Sequence, residues 1–63
     1  MIELIIERWS YPDGHTEFFW SVWQEGRRLQ FSARYESADR AEAEALKFCQ
    51  INLGTGPDRI TRL

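Results

Sequence analysis

Apolar and polar residues alternate with a period of two in three stretches of the chain, then switch to helical spacing. Residues 2–10 read IELIIERWS. Ile2, Leu4 and Ile6 fall on one side; Glu3, Ile5, Glu7 and Trp9 fall on the other. Residues 16–24, TEFFWSVWQ, place Phe18, Trp20 and Val22 on one side and Glu17, Phe19, Ser21 and Trp23 on the opposite one. Residues 28–35, RLQFSARY, alternate most cleanly: Leu29, Phe31, Ala33 and Tyr35 against Arg28, Gln30, Ser32 and Arg34. A period of two marks a strand with one buried face.

The segments between these stretches fix how they pair. Pro12-Asp13-Gly14 suits a three-residue hairpin loop, with proline setting φ at the first turn position and glycine taking the left-handed one. That loop places Tyr11 opposite His15, Ile6 opposite Trp20 and Leu4 opposite Val22, so the apolar sides coincide. A loop one residue shorter would set each apolar side against a polar one. Glu25-Gly26 reads as a two-residue loop pairing Gln24 with Arg27. It then predicts Val22 against Leu29, Trp20 against Phe31 and Phe18 against Ala33. On the other side it sets Glu17 near Arg34 and Trp23 near Arg28, an ion pair and a cation–π contact.

From residue 37 the spacing becomes helical. Ser37 is a good N-cap, Asp39 favours the first turn, and Gly54 suits the C-terminal cap. Ala41, Ala45, Phe48 and Cys49 make the apolar stripe of a helix over residues 38–53. Its small residues let it approach a bulky sheet face. The predicted fold is a single α+β domain over residues 1–63: a three-stranded antiparallel sheet of two hairpins packed on one C-terminal helix. The last six residues, DRITRL in the 55–63 tail, either add a short fourth edge strand or trail free. The predicted core is Leu4, Ile6, Phe18, Trp20, Val22, Leu29, Phe31 and Ala33 under Ala41, Ala45, Phe48 and Cys49, with Tyr35 closing one end.

Composition adds constraints. A 63-residue chain buries only about 60% of its unfolded surface, so its stability is marginal without support. Cys49 is the only cysteine. It cannot form a disulfide within the chain, and a lone thiol fits a reducing compartment. Three Trp, four Phe and two Tyr supply large buried areas instead. The opening MIELII is too short and too charged for a signal peptide or a spanning helix. The expectation is a soluble, cytoplasmic protein. A formal charge of −2 speaks against strong nonspecific nucleic-acid binding, which needs a basic footprint.

Catalytic chemistry has few candidates. His15, the only histidine, follows a turn and has only Asp13 close by in sequence. Cys49 falls on the inner side of the helix, where it acts as a small apolar residue without an activating base. Gly14, Gly26, Gly54 and Gly56 are turn and cap residues, with no phosphate loop among them. Glu36, Asp39, Glu42 and Glu44 read as a solvated helix face. We expect no enzyme, no metal and no cofactor.

The second sheet face carries the interest. One helix covers one face and leaves Ile5, Trp9, Phe19 and Trp23 on the other among Glu3, Glu7, Glu17, Arg28, Gln30, Ser32 and Arg34. Exposed aromatic side chains beside arginine are what a binding surface uses. The predicted partner-binding residues are Trp9, Phe19, Trp23, Arg28, Gln30 and Arg34. The C-terminal tail, a second copy of the chain or a foreign protein could cover them.

Trp20-Ser21-Val22, Gly26-Arg27-Arg28, Tyr35, the Ser37 cap and the Ala41/Ala45 spacing resemble the three-stranded-sheet-plus-helix DNA-binding modules. These include the plant ethylene-response-factor domain and the arm-binding domain of phage integrases. The resemblance covers about half the chain. It implies a free sheet face that enters the DNA major groove, with Trp9, Trp23, Arg28, Gln30 and Arg34 as readers. Glu3, Glu7 and Glu17 stand on that same face, where phosphates repel them.

The functional expectation is therefore a small non-catalytic protein-interaction module. Its finer form is a phage or mobile-element inhibitor that docks on a host nucleic-acid-binding or defence protein, through the free sheet face or the acidic helix face. The alternative is a sequence-specific nucleic-acid-binding module that uses the sheet face. No membrane partner is expected.

Overall fold

The computed structural model describes residues 1–63 and shows an α+β fold with one helix on a four-stranded mixed sheet. The strands are β1 (Ile2–Ser10), β2 (Thr16–Gln24), β3 (Arg27–Phe31) and β4 (Arg59–Arg62); the helix α1 spans Ala38–Leu53. The sheet order is β3-β2-β1-β4. β1 and β2 are antiparallel in the register that the apolar sides require, with Leu4 opposite Val22 and Ile6 opposite Trp20. The Pro12-Asp13-Gly14 corner closes this hairpin. Tyr11 N–H donates to the His15 carbonyl at 3.0 Å, and Gly14 N–H donates to the Tyr11 carbonyl at 2.9 Å.

Gly14 sits at φ 93°, in the left-handed region, and a Cβ added there meets no atom within 4 Å. The cost of a side chain is then purely that of the backbone. Gly14→Val is expected to lower stability by about 1–3 kcal/mol, read as a lower urea midpoint with an unchanged slope. A variant as stable as the parent would show that the turn relaxes freely.

The second hairpin departs from the alternation. Gln24 pairs with Arg27 and Trp23 with Arg28, but then Val22 pairs with Gln30 and Ser21 with Phe31. Leu29 is the extra residue of a β-bulge. Beyond it β3 ends. The Ser32 hydroxyl accepts the Trp20 N–H at 2.8 Å in place of a backbone carbonyl, and the Ser32 N–H donates to the Trp20 carbonyl at 2.9 Å. A second extra residue follows, because Tyr35, and not Ala33, bridges to Phe18 through two backbone hydrogen bonds of 2.9 and 2.8 Å.

The predicted core changes accordingly. Leu29, Phe31 and Ala33 are exposed, at 41% and 39% for the first two. The helix explains why. It lies over β1 and β2 alone and does not reach β3, so apolar side chains on the helix side of β3 would find nothing to cover them. A one-residue slip moves Phe31 to the far side of the sheet. The core that forms is Ile2, Leu4, Ile6, Trp20 and Val22 against Ala41, Ala45 and Cys49, flanked by Phe18, Tyr35, Leu46 and Phe48. The Trp20 and Phe48 rings lie 5.2 Å apart. Ser37 caps the helix, its hydroxyl accepting the Arg40 N–H at 3.1 Å, and Gly54 ends it at φ 70°.

The C-terminal residues extend the sheet at its edge. β4 runs parallel to β1, with Ile60 opposite Leu4. Asp58 starts it: its carboxylate accepts the Ile2 N–H at 2.7 Å, and its N–H donates to the Ile2 carbonyl at 2.8 Å. Because β4 joins in the plane of the sheet, the tail leaves the face opposite the helix uncovered. No helix is long and apolar enough to cross a membrane.

Candidate functional site

The register sets the membership of the uncovered face. β1 contributes Glu3, Ile5, Glu7 and Trp9, and β2 contributes their partners Trp23, Ser21, Phe19 and Glu17. Arg28 and Phe31 join from β3 through their pairing with Trp23 and Ser21, and Arg59 and Thr61 join from β4. Three rings form a ridge across three strands. Trp9 meets Phe19 edge-on at 5.6 Å, Phe19 stacks on Phe31 at 5.5 Å, and the Arg28 guanidinium lies 5.2 Å from the Phe31 centroid. The predicted cation–π contact of Arg28 thus falls on Phe31 and not on Trp23. Ser21, at the foot of the ridge, is 1% exposed and accepts the Trp23 indole N–H at 2.9 Å. Beside it, Glu3, Ile5, Trp23 and the Glu25-Gly26 turn border a shallow recess of about 440 Å3.

Of the six predicted partner-binding residues, Trp9, Phe19, Trp23 and Arg28 lie together on this face. Arg34 lies beyond the end of β3 and reaches the rim, where its Nη1 donates to Glu17 at 3.0 Å. Gln30 does not belong: the bulge sets it opposite Val22, on the helix side. Phe31 takes its place, and the alternation in RLQFSARY gives no sign of that. Trp9 is the most open ring of the ridge at 48% exposure.

The acidic residues of the face are largely matched within the chain. Glu3 accepts from Arg59 at 2.8 Å and from the Thr61 hydroxyl at 3.1 Å. Glu7 accepts the Trp9 indole N–H at 3.2 Å. Glu17 accepts from Arg34, and the neighbouring Tyr11 hydroxyl contributes most to holding its carboxyl below the usual range. The Glu17 carboxylate in turn pushes the Tyr11 hydroxyl up. A carboxyl lowered by folding stabilises the fold above its ordinary titration range, about pH 4.3, and loses that contribution as pH falls through its lowered value. Tyr11→Phe is therefore expected to raise the Glu17 midpoint toward the ordinary value in an NMR pH titration. An unmoved midpoint would remove Tyr11 from this cluster.

No family model, curated protein or solved structure matches this chain.

The remaining chemistry-bearing groups sit apart from the face or are occupied. Cys49 is fully buried, and burial pushes its thiol up, away from the thiolate that nucleophilic work requires. His15 stacks on Tyr11 at 4.4 Å and contacts the Asp13 carboxylate at the hairpin corner. No three His, Cys, Asp or Glu side chains cluster as metal ligands would. On the helix, Asp39 and Glu42 hold Arg62 at 2.9 and 3.0 Å, and Glu44 lies between Arg40 and Lys47 at 3.8 and 3.5 Å.

Proposed function

We propose that this domain is a small non-catalytic protein-interaction module that docks through its uncovered sheet face. The observation that carries the reading is the Trp9–Phe19–Phe31 ridge, capped by Arg28 and left open by both the helix and the tail. Aromatic and arginine side chains at the centre of a patch, ringed by paired polar groups, are the composition of a binding hot spot. The finer proposal, an inhibitor of phage or mobile-element origin acting on a host nucleic-acid-binding or defence protein, would use this same face. A helix face imitating nucleic acid has less support, since Asp39, Glu42 and Glu44 are engaged by Arg62, Arg40 and Lys47.

Nucleic acid is the second reading. Exposed rings on adjacent strands can stack bases, but the face pairs Glu3 and Glu17 with its own arginines and carries Glu7 besides, so it offers phosphate little net attraction. Two measurements separate the readings. Affinity capture with the parent and with Trp9→Ala, both shown folded by circular dichroism, is expected to retain proteins that the variant loses. Titration with short duplex DNA is expected to show no binding at low salt. Equal capture by both chains from a parent that does not self-associate, or DNA binding that weakens steeply with salt, would overturn the protein reading.

A further inference from the structure

The uncovered face has the properties that a surface needs to meet a copy of itself. A two-fold interface is isologous, so each residue type on it must tolerate the same set arriving from the partner. A face of one charge sign repels its copy; this one is balanced. Glu3, Glu7 and Glu17 stand against Arg28, Arg34 and Arg59, and two of these pairs, Glu3–Arg59 at 2.8 Å and Glu17–Arg34 at 3.0 Å, are already closed within the chain. Glu7 and Arg28 have no ion-pair partner in their own chain. They carry opposite signs on different strands, so a second copy supplies each with a complement, twice over by symmetry.

The chain also has a physical need for a second layer. A domain of this length rarely gains enough from one core, and oligomerisation is a common remedy. Here the core is eight buried apolar residues on one side of the sheet, while Trp9 and Phe31 stay 48% and 39% exposed on the other. Stacking two sheets about 10 Å apart, helices outermost, would bury both ridges.

Building on the interaction-module reading, we propose that the occupant of the open face is a second copy of this chain, in a two-fold, sheet-on-sheet homodimer. The size of the face sets its strength. A standard interface engages roughly 20–30 residues on each side. The strand registers place twelve on this face, from Glu3 to Thr61. The dimer therefore belongs to the small, reversible class.

Sedimentation equilibrium or light scattering over a concentration series tests this. The parent is expected to pass from monomer to dimer across the micromolar range. Phe31→Glu is expected to weaken the dimer by about 100-fold or more while keeping the parent's circular dichroism. Trp9→Ser, on the first strand and half exposed, serves as a second variant should the first fail to fold. A parent that stays monomeric to millimolar concentration overturns the proposal, as does a dimer that both variants leave intact. Neither result touches the broader module reading, which fails only if the parent stays monomeric and capture of foreign proteins is also indifferent to Trp9.

Discussion

Trp20→Ala is expected to leave the domain largely unfolded at 25 °C. Trp20 is 6% exposed, sits in the middle of β2 and packs on Phe48 of the helix, with Ile6 as its neighbour on β1. Truncating a buried Trp to Ala costs about 3–5 kcal/mol, since the surrounding atoms collapse only partly into the space left. A domain of this size has roughly 3–5 kcal/mol to lose. The loss is thus of the same size as the whole stability, and urea titration should show no folded baseline for the variant. Trp20→Phe is the informative companion. The Trp20 indole N–H is buried and meets no protein acceptor, so phenylalanine removes an unpaired donor along with some apolar area. We expect it to cost far less than alanine and to stay cooperative. A Trp20→Ala chain with a midpoint near that of the parent would mean that the sheet–helix core is not the main source of stability.

Phe31→Ala should do the reverse, costing little in folding and much in association. Were Phe31 a core residue opposite Trp20, as strict alternation predicts, its truncation would cost about 3–5 kcal/mol. On the open face it stacks on Phe19 and lies under Arg28, in contacts worth about 0.5–1.5 kcal/mol. The expected loss of stability is therefore about 1 kcal/mol by urea titration. Loss of its ring from the ridge of a docked face should cost at least about 2 kcal/mol of binding, close to a 30-fold weaker dissociation constant. A Phe31→Ala chain that unfolds would return Phe31 to the core and remove the bulge from the description.

These two positions also mark how far the pattern of the chain could be read. The first hairpin was legible because two separate constraints agree there. The Pro12-Asp13-Gly14 turn sets the loop length, and that length alone brings Leu4 and Ile6 opposite Val22 and Trp20. The helix was legible because its cap residues, Ser37 and Gly54, bracket a stripe of Ala41, Ala45 and Cys49. The Glu17–Arg34 pair also forms, although the register between their strands slips twice on the way. What failed was the placement of Leu29, Phe31, Ala33 and Gln30. RLQFSARY alternates as well as any strand, but a bulge within it puts Phe31 on the same side as Arg28 and Gln30 on the other, and alternation carries no sign of a bulge.

The local chemistry of the chain determined its elements: where strands run, where they turn, and where a capped amphipathic helix begins and ends. It also determined that one helix could cover only one sheet face. Which strands the helix covers is a tertiary matter. It spans β1 and β2, and the joining of β4 to the edge of β1 gives the tail a place in the sheet plane instead of over the rings. With nothing above β3, burial no longer holds its register, and the bulge at Leu29 turns Phe31 toward Phe19. Trp9 and Phe19 follow from the first hairpin's own pattern; the third ring of the ridge, Phe31, is a product of packing between distant segments, and no local pattern encodes it.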